Sequence, residues 1–131
     1  MLWNTLVTVQ RSALAGRVIG CAIEVHQQIG PGLLESAYDS CLTHEFTLNG
    51  IGFCRDVAVP ILYKGTTVSC AHRADFVVEN ELLVELKSVE RLQPIHQAQV
   101  LTYMRLLSLR QGLLINFNVH RLVDGLRSLL L

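Results

Sequence analysis

The chain has 131 residues, half of them hydrophobic, and its eleven basic residues balance its eleven acidic ones. This length and apolar content exclude a disordered tail and predict a single domain, residues 1–131, that folds without disulfides or a structural metal. The zero net charge argues against a protein that holds a polyanion by charge alone, because such proteins carry a basic excess.

The four cysteines are scattered, with no CxxC pair and no Cys/His ligand spacing. This pattern argues against a zinc site and favours small buried side chains in a reducing compartment. No run of about 18 apolar residues and no signal-peptide pattern occurs in the chain. We therefore expect a cytoplasmic protein that does not span or bind a membrane.

Two helices are predicted in the N-terminal third. Apolar residues recur at helical spacing over residues 18–29, and Gly30-Pro31-Gly32 ends that pattern. A second amphipathic pattern covers residues 33–48 and is closed by Asn49-Gly50. Both helices should pack on a common core.

From residue 53 the apolar period becomes that of strands. Val57, Val59 and Ile61 alternate before a turn at residues 63–65, and further strands are expected over residues 67–78 and 81–87, which predicts a three-stranded antiparallel meander. Pro94 suits a first helical position, so a third helix is predicted over residues 95–109. A buried strand at 112–117 and a short helix at 123–130 complete the order.

One strand pair carries residues suited to chemistry. A side-chain period of two places Glu85 and Lys87 on one face of their strand, and a turn at residues 79–81 would lay Asp75 beside them. Two carboxylates and an ammonium could then hold a hard divalent cation and a phosphate, as metal-assisted phosphodiester cleavage requires. On spacing alone, a solvated strand face is the commoner explanation of Glu85 and Lys87.

Five blocks of sequence resemble one known family. GPGLLESAY (30–38), RADFVV (73–78), ELLVELKSVE (81–90), HQAQVLTY (96–103) and GLLINFNV (112–119) occur in the order typical of the GxxExxY proteins, which belong to the PD-(D/E)XK nuclease superfamily. The resemblance covers residues 18–124. It implies a restriction-endonuclease-like α/β fold with an αβββαβ core, in which helices flank a mixed four-stranded sheet.

The resemblance also implies roles for particular residues. Asp75 matches the first acidic position, Glu85 and Lys87 the Glu-x-Lys, and Glu35 the acidic residue of the GxxExxY helix. All four are candidate catalytic residues. Mg²⁺ or Mn²⁺ would be held by Asp75, Glu85, Glu35 and the backbone carbonyl of Leu86, since Mg²⁺ prefers hard oxygen ligands. The usual proline before the first aspartate is absent, because Ala74 stands there.

Four further residues are candidate substrate contacts. Gln99 and Tyr103 match a Gln-xxx-Tyr signature and share a helix face, while Tyr38 and Arg73 belong to the first two blocks. The two tyrosines could equally pack a helix onto the sheet, and Gln99 could tie its helix to a strand. For His26 and His96 a bond near a helix end is favoured over a role in proton transfer.

These observations favour a metal-dependent endonuclease that acts on DNA or RNA, with DNA favoured over RNA and with branched or structured DNA among the expected substrates. The alternative is a catalytically silent nuclease-fold module that binds nucleic acid or a protein partner. A third possibility, an interaction or dimerisation domain, follows from the apolar C-terminus. A homodimer is expected, because enzymes that cut two strands often place two sites by two-fold symmetry. No recognition helix and no stacking platform can be identified in the sequence.

Overall fold

The computed structural model describes residues 12–68 and 72–131. In this part of the chain the helices and strands follow one another in the order helix, helix, five strands, helix, strand, strand. Their bounds are α1 Ala13–Ile29, α2 Glu35–Leu48, β1 Phe53–Ala58, β2 Ile61–Tyr63, β3 Thr66–Val68, β4 Arg73–Val78, β5 Leu82–Lys87, α3 Pro94–Leu106, β6 Gln111–Asn116 and β7 Leu126–Leu130.

The main sheet is mixed and has the strand order β1-β4-β5-β6-β7. Strands β5 and β6 run parallel, because α3 crosses over between them, and the other neighbouring pairs are antiparallel. This confirms the predicted α/β class with a mixed sheet between helices, and β1, β4 and β5 form the predicted meander. A separate hairpin of β2 and β3 interrupts the long strands expected on either side of residues 63–65. Pro60 explains the break, since proline cannot donate a ladder bond.

Helices cover both faces of the sheet. The two N-terminal helices pack on a core that includes Phe76, Val84 and Ile115. Helix α3 packs on the opposite face through Val100 and Met104. Strand β5 is therefore buried on both sides, as parallel strands usually are. Over the described ranges, no helix is both long and apolar enough to cross a membrane.

The C-terminal helix predicted over residues 123–130 is wrong. A short 3₁₀ turn, Leu122–Gly125, is followed by strand β7, which pairs antiparallel with β6 from Gln111↔Leu130 to Ile115↔Leu126. The sheet therefore has five strands and not the four predicted. The open edge of β6 offers backbone partners to this segment, and Leu129 packs into the core beneath α3. Helix α3 also ends earlier than predicted, at Leu106, shortly before Ser108 adopts a φ of 59°.

Candidate active site

Strands β4 and β5 separate at the position of the predicted acidic pair. Their register ends at Phe76↔Val84, so Asp75 and Glu85 stand where the next pair would form. In place of ladder bonds, Asp75 Oδ2 accepts from the Leu86 N–H and Glu85 Oε1 accepts from the Asp75 N–H, each at 2.8 Å. Two carboxylates therefore lie side by side in the opening between the strands.

The neighbouring strand explains why the Asp75 amide bonds to a side chain. Asp56 of β1 lies opposite Asp75, between the pairs Arg55↔Phe76 and Val57↔Ala74, and its φ of 52° interrupts the ladder there. The Arg73 guanidinium fixes this kink, donating to the Asp56 carbonyl at 2.7 and 3.1 Å and pairing with the Asp56 carboxylate at 2.9 Å. The Asp75 N–H turns instead to the Glu85 carboxylate.

The carboxyl groups of this cluster all bind protons more readily than usual. Burial first, and then the Asp75 charge, raise the pKa of Glu85, which is only 4% exposed, to about 8. Burial is also the main cause that raises the pKa of Asp75, although the Leu86 N–H acts in the other direction. Desolvation and the Asp75 charge raise the pKa of Glu35. Burial, together with the closeness of the carboxyl groups to one another, therefore disfavours their charged forms.

Lys87 supplies the nearest positive charge. Its field lowers the pKa of Asp75, of Glu85 and of Glu35, against the larger effects that raise them. With residues 12–68 and 72–131 the Lys87 ammonium makes no hydrogen bond and no ion pair. A cation held close to buried carboxylates and bonded to none of them is free to contact a ligand.

The Leu86 carbonyl faces the same opening as the carboxylates. The N–H and C=O of one residue in an extended strand point to the same edge. The Lys87 carbonyl accepts from the Phe117 N–H at 2.9 Å on the β6 side, whereas the Leu86 N–H bonds to Asp75 on the β4 side. The Leu86 oxygen therefore points towards β4, where the ladder has ended.

Glu35 and Asp75 lie on one solvent-open cleft. The cleft has a volume of about 590 Å³, and its lining residues are Glu35, Ser36, Asp39, Ser40, Arg55, Asp56 and Asp75. Four of these are acidic, and the cation among them, Arg55, is paired with Asp39. This acidic wall disfavours the approach of a phosphate to the cleft unless a cation is bound there.

The donor set fits a hard divalent cation that keeps much of its water. Among the residues that the structure describes, no three His, Cys, Asp or Glu side chains form a closed metal cage. Mg²⁺ commonly uses only one or two carboxylates together with water and substrate oxygens, so such a cage is not required. Asp75, Glu85 and the Leu86 carbonyl provide three hard oxygens at one opening. Glu35 belongs to the same electrostatic cluster, since its pKa responds to the charges of Asp75 and Lys87.

Tyr38 has a packing role in this structure. Its side chain is fully buried and its ring stacks on Phe117 at 4.5 Å. Its hydroxyl donates to the Gly30 carbonyl at 2.7 Å and accepts from the Leu33 N–H at 3.2 Å. The substrate contact predicted for Tyr38 finds no support here, because the hydroxyl fastens the loop that leads into Glu35.

The other three substrate candidates have partners or positions of their own in the structure. Tyr103 lies on the buried side of α3, and its hydroxyl is 3.0 Å from His72 Nδ1. Gln99 is half-buried on α3 and makes no hydrogen bond with another described residue. Arg73 pairs with Asp56, which lines the cleft. The structure therefore groups Glu35, Asp75, Glu85, Leu86 and Lys87. The substrate contacts of Tyr103, Gln99 and Arg73 stay predictions.

Sequence reasoning missed Asn116, which positions the segment after Lys87. This buried side chain accepts from the Val89 N–H at 3.0 Å and donates to the Val89 carbonyl at 2.9 Å. A single asparagine in the apolar run GLLINF was the available signal, since a buried polar side chain needs partners. The histidines follow the favoured interpretation: His26 Nε2 lies 2.7 Å from the Val119 carbonyl, and His96 caps α3 by accepting from the Gln93 N–H.

Comparison with known proteins yields one match. A sequence model of the PD-(D/E)XK nuclease superfamily matches residues 12–128. No curated protein and no solved structure matches the chain. The matched range includes the acidic pair, Lys87 and every strand of the sheet except the last residues of β7. The chain therefore belongs to the PD-(D/E)XK nuclease superfamily.

Proposed function

We propose that this protein is a divalent-metal-dependent nuclease that hydrolyses phosphodiester bonds in nucleic acid. One observation carries the proposal. Asp75 and Glu85 occupy the opening between β4 and β5 with raised pKa values, and the charge of Lys87 acts on both. Membership of a nuclease superfamily supports the same chemistry.

Each residue of the cluster has a distinct task in this proposal. A cation bound at Asp75, Glu85 and the Leu86 carbonyl would lower the pKa of a water and offset charge developing on the phosphate. Lys87 places a positive charge beside that phosphate and orients the attacking water. Glu35, open to solvent on the cleft wall, accepts a hydrogen bond from water around the cation.

The finer features of the proposal concern the metal ion, the substrate and the oligomeric state. Mg²⁺, with Mn²⁺ as a substitute, fits a set made only of oxygen donors. The GxxExxY relationship rests on the five ordered sequence blocks. DNA, including branched or structured DNA, and a homodimer follow from that relationship and from the two-fold symmetry common among enzymes that cut both strands.

The test separates metal binding from cleavage. Titration calorimetry with Mg²⁺ and Mn²⁺ should show binding that is lost in Asp75→Asn. Binding should be retained in Glu81→Gln, because Glu81 is exposed and directly precedes the end of β5 that lies away from Glu85 and Lys87. Labelled branched, duplex and single-stranded DNA and RNA are then incubated with either metal. Cleavage lost in Lys87→Ala, with an unchanged melting temperature, is the expected result. An intact panel with both metals at micromolar protein would refute the hydrolase.

A silent binding module is the second candidate. Arg55 and Arg73 are each paired with an aspartate. Both guanidinium groups are thus engaged and do not offer their charge to a phosphate at the acidic pair, which favours a protein that does not cleave. Substrate bound but never cut in the same panel would favour this candidate. Absence of both binding and cleavage would favour a role in protein interaction.

A further inference from the structure

The β2–β3 hairpin stands apart from the main sheet and exposes an aromatic residue. Among the described residues its two strands pair only with each other. Its tip is the tight turn Tyr63-Lys64-Gly65-Thr66, in which Lys64 and Gly65 have φ values of 48° and 82°. Leu62 and Tyr63 are 66% and 61% exposed. Large apolar side chains at a protruding turn are available to a ligand.

Lys64 holds a conformation that lysine rarely adopts. Turns with two positive φ angles favour Asn-Gly or Asp-Gly, and a left-handed lysine costs about 1 kcal/mol. In return the turn places the Lys64 ammonium 5.4 Å from the centre of the Tyr63 ring. An aromatic face and a cation are thus presented together. The sequence indicates a turn at these residues but does not reveal this surface.

The hairpin extends from the strand ends that border the acidic cleft. The last pair between β1 and β4 is Ala58↔Arg73, and β2 begins at Ile61. Tyr63 follows Asp56, which lies opposite Asp75, by seven residue steps, so at the rise of a strand the tip lies within about 25 Å of the site. That reach corresponds to about seven stacked nucleotides at 3.4 Å each.

The charges near the cleft decide which form of nucleic acid suits this arrangement. Duplex binding draws mainly on many phosphate contacts by free cations. Both arginines beside the cleft are paired, and the cleft wall is mostly acidic. Stacking of an unpaired base on an exposed aromatic ring does not need such contacts.

We propose that the β2–β3 hairpin binds unpaired nucleotides of the substrate, with a base stacked on Tyr63 and a phosphate near Lys64. The inference rests on the proposed nuclease function and deepens it, because it names single-stranded or splayed nucleic acid as the substrate class. Binding depends on the hairpin and cleavage on the acidic pair, so the two claims can fail separately.

The test measures binding in EDTA, where no cleavage can occur. A fluorescein-labelled mixed-sequence 20-nucleotide DNA strand and the corresponding duplex are titrated with the full chain, and anisotropy gives the Kd. The single strand should bind more tightly than the duplex. Tyr63→Ala should weaken single-strand binding by about 5- to 150-fold, the usual effect of losing one stacked base, whereas Tyr63→Phe keeps the ring and the affinity.

Two charge variants test the lysine. Lys64→Asn preserves the turn and should lower the slope of log Kd against log salt by about 0.7, the value for one phosphate of a single strand. Arg110→Ala is the matched control, because this exposed cation precedes β6 at the opposite end of the sheet and should leave that slope unchanged.

Three results would overturn the inference. The first is equal single-strand affinity of Tyr63→Ala and the wild type, with unchanged circular dichroism. The second is duplex bound as tightly as the single strand. The third is a wild-type dimer in light scattering that Tyr63→Ala converts to a monomer, since the hairpin would then bind a second copy of the chain. Failure to cut any substrate, with hairpin-dependent binding retained, would refute the nuclease alone.

Discussion

Glu85→Gln should stabilise the metal-free protein at alkaline pH. Burial first, and then the negative charge of Asp75, raise the pKa of Glu85 from 4.5 to about 8. Glutamine keeps an oxygen that accepts from the Asp75 N–H and resembles the protonated acid. The substitution therefore removes a charge that the fold disfavours while it retains the hydrogen bond.

The sign of the pH effect follows from the direction of the shift. A folded-state pKa above the unfolded value means that Glu85 contributes stability below pH 4.5, and that this contribution is lost as the pH rises through about 8. One pKa unit corresponds to about 1.4 kcal/mol, so the full rise sets an upper limit of about 5 kcal/mol. Relaxation and water entry around the coupled pair reduce this, and we expect about 2–3 kcal/mol.

Urea denaturation in EDTA, followed by circular dichroism at pH 5 and pH 8.5, measures the effect. The two proteins should be similarly stable at pH 5, and Glu85→Gln should be more stable by about 2–3 kcal/mol at pH 8.5. Glu81→Gln is the control, because Glu81 is exposed and directly precedes β5. This substitution should change the free energy of unfolding little at either pH. Wild type as stable as Glu85→Gln at pH 8.5 would refute the reasoning about buried charge.

Three other substitutions test the framework of the site by urea denaturation. Tyr38→Phe keeps the stacked ring but leaves two loop backbone groups without the hydroxyl, which should cost about 1–2 kcal/mol; no loss would mean that the loop is held by other contacts. Asn116→Ala removes both hydrogen bonds to the Val89 backbone, which should lower the free energy of unfolding by about 2–3 kcal/mol and slow cleavage. A change below about 0.5 kcal/mol would show that these two bonds do not hold the segment after Lys87. Gly125→Ala would put a Cβ 2.2 Å from the Asn116 carbonyl oxygen and should cost at least about 3 kcal/mol, while Gly16→Ala, with open space around it in α1, should stabilise by about 0.5–1 kcal/mol. Equal effects of the two alanines would refute the close approach.

The sequence predicted the elements whose periodicity is set by their own burial. Helices α1 and α2 each bury one side on the sheet, so their apolar spacing identifies them. The C-terminal run LRSLLL has too few polar residues to separate a helix from a strand, and the free edge of β6 decides the outcome. The β2–β3 hairpin depends on Pro60 and on a lysine in a left-handed turn, which lies outside the usual turn preferences.

The site was predictable to the extent that its residues are near in sequence. Glu85 and Lys87 share a strand, and a short turn brings Asp75 to the same place. Glu35 lies forty residues before Asp75, and only the family resemblance linked the two. Packing was one of the two roles predicted for Tyr38, but the loop groups that its hydroxyl bonds could not be predicted, because they depend on where the preceding loop returns in three dimensions.

The two hydrogen bonds at the opening between β4 and β5 indicate which residues could replace Asp75 and Glu85 in relatives without hydrolytic activity. Each bond asks only for a neutral acceptor oxygen, which the amides of asparagine and glutamine offer equally well. The fold therefore does not require ionisable groups at positions 75 and 85 or an ammonium at position 87. Relatives that have lost hydrolytic activity should therefore carry Asn or Gln at positions 75 and 85 and varied residues at position 87. Comparing these three positions among relatives would distinguish active enzymes from inactive ones.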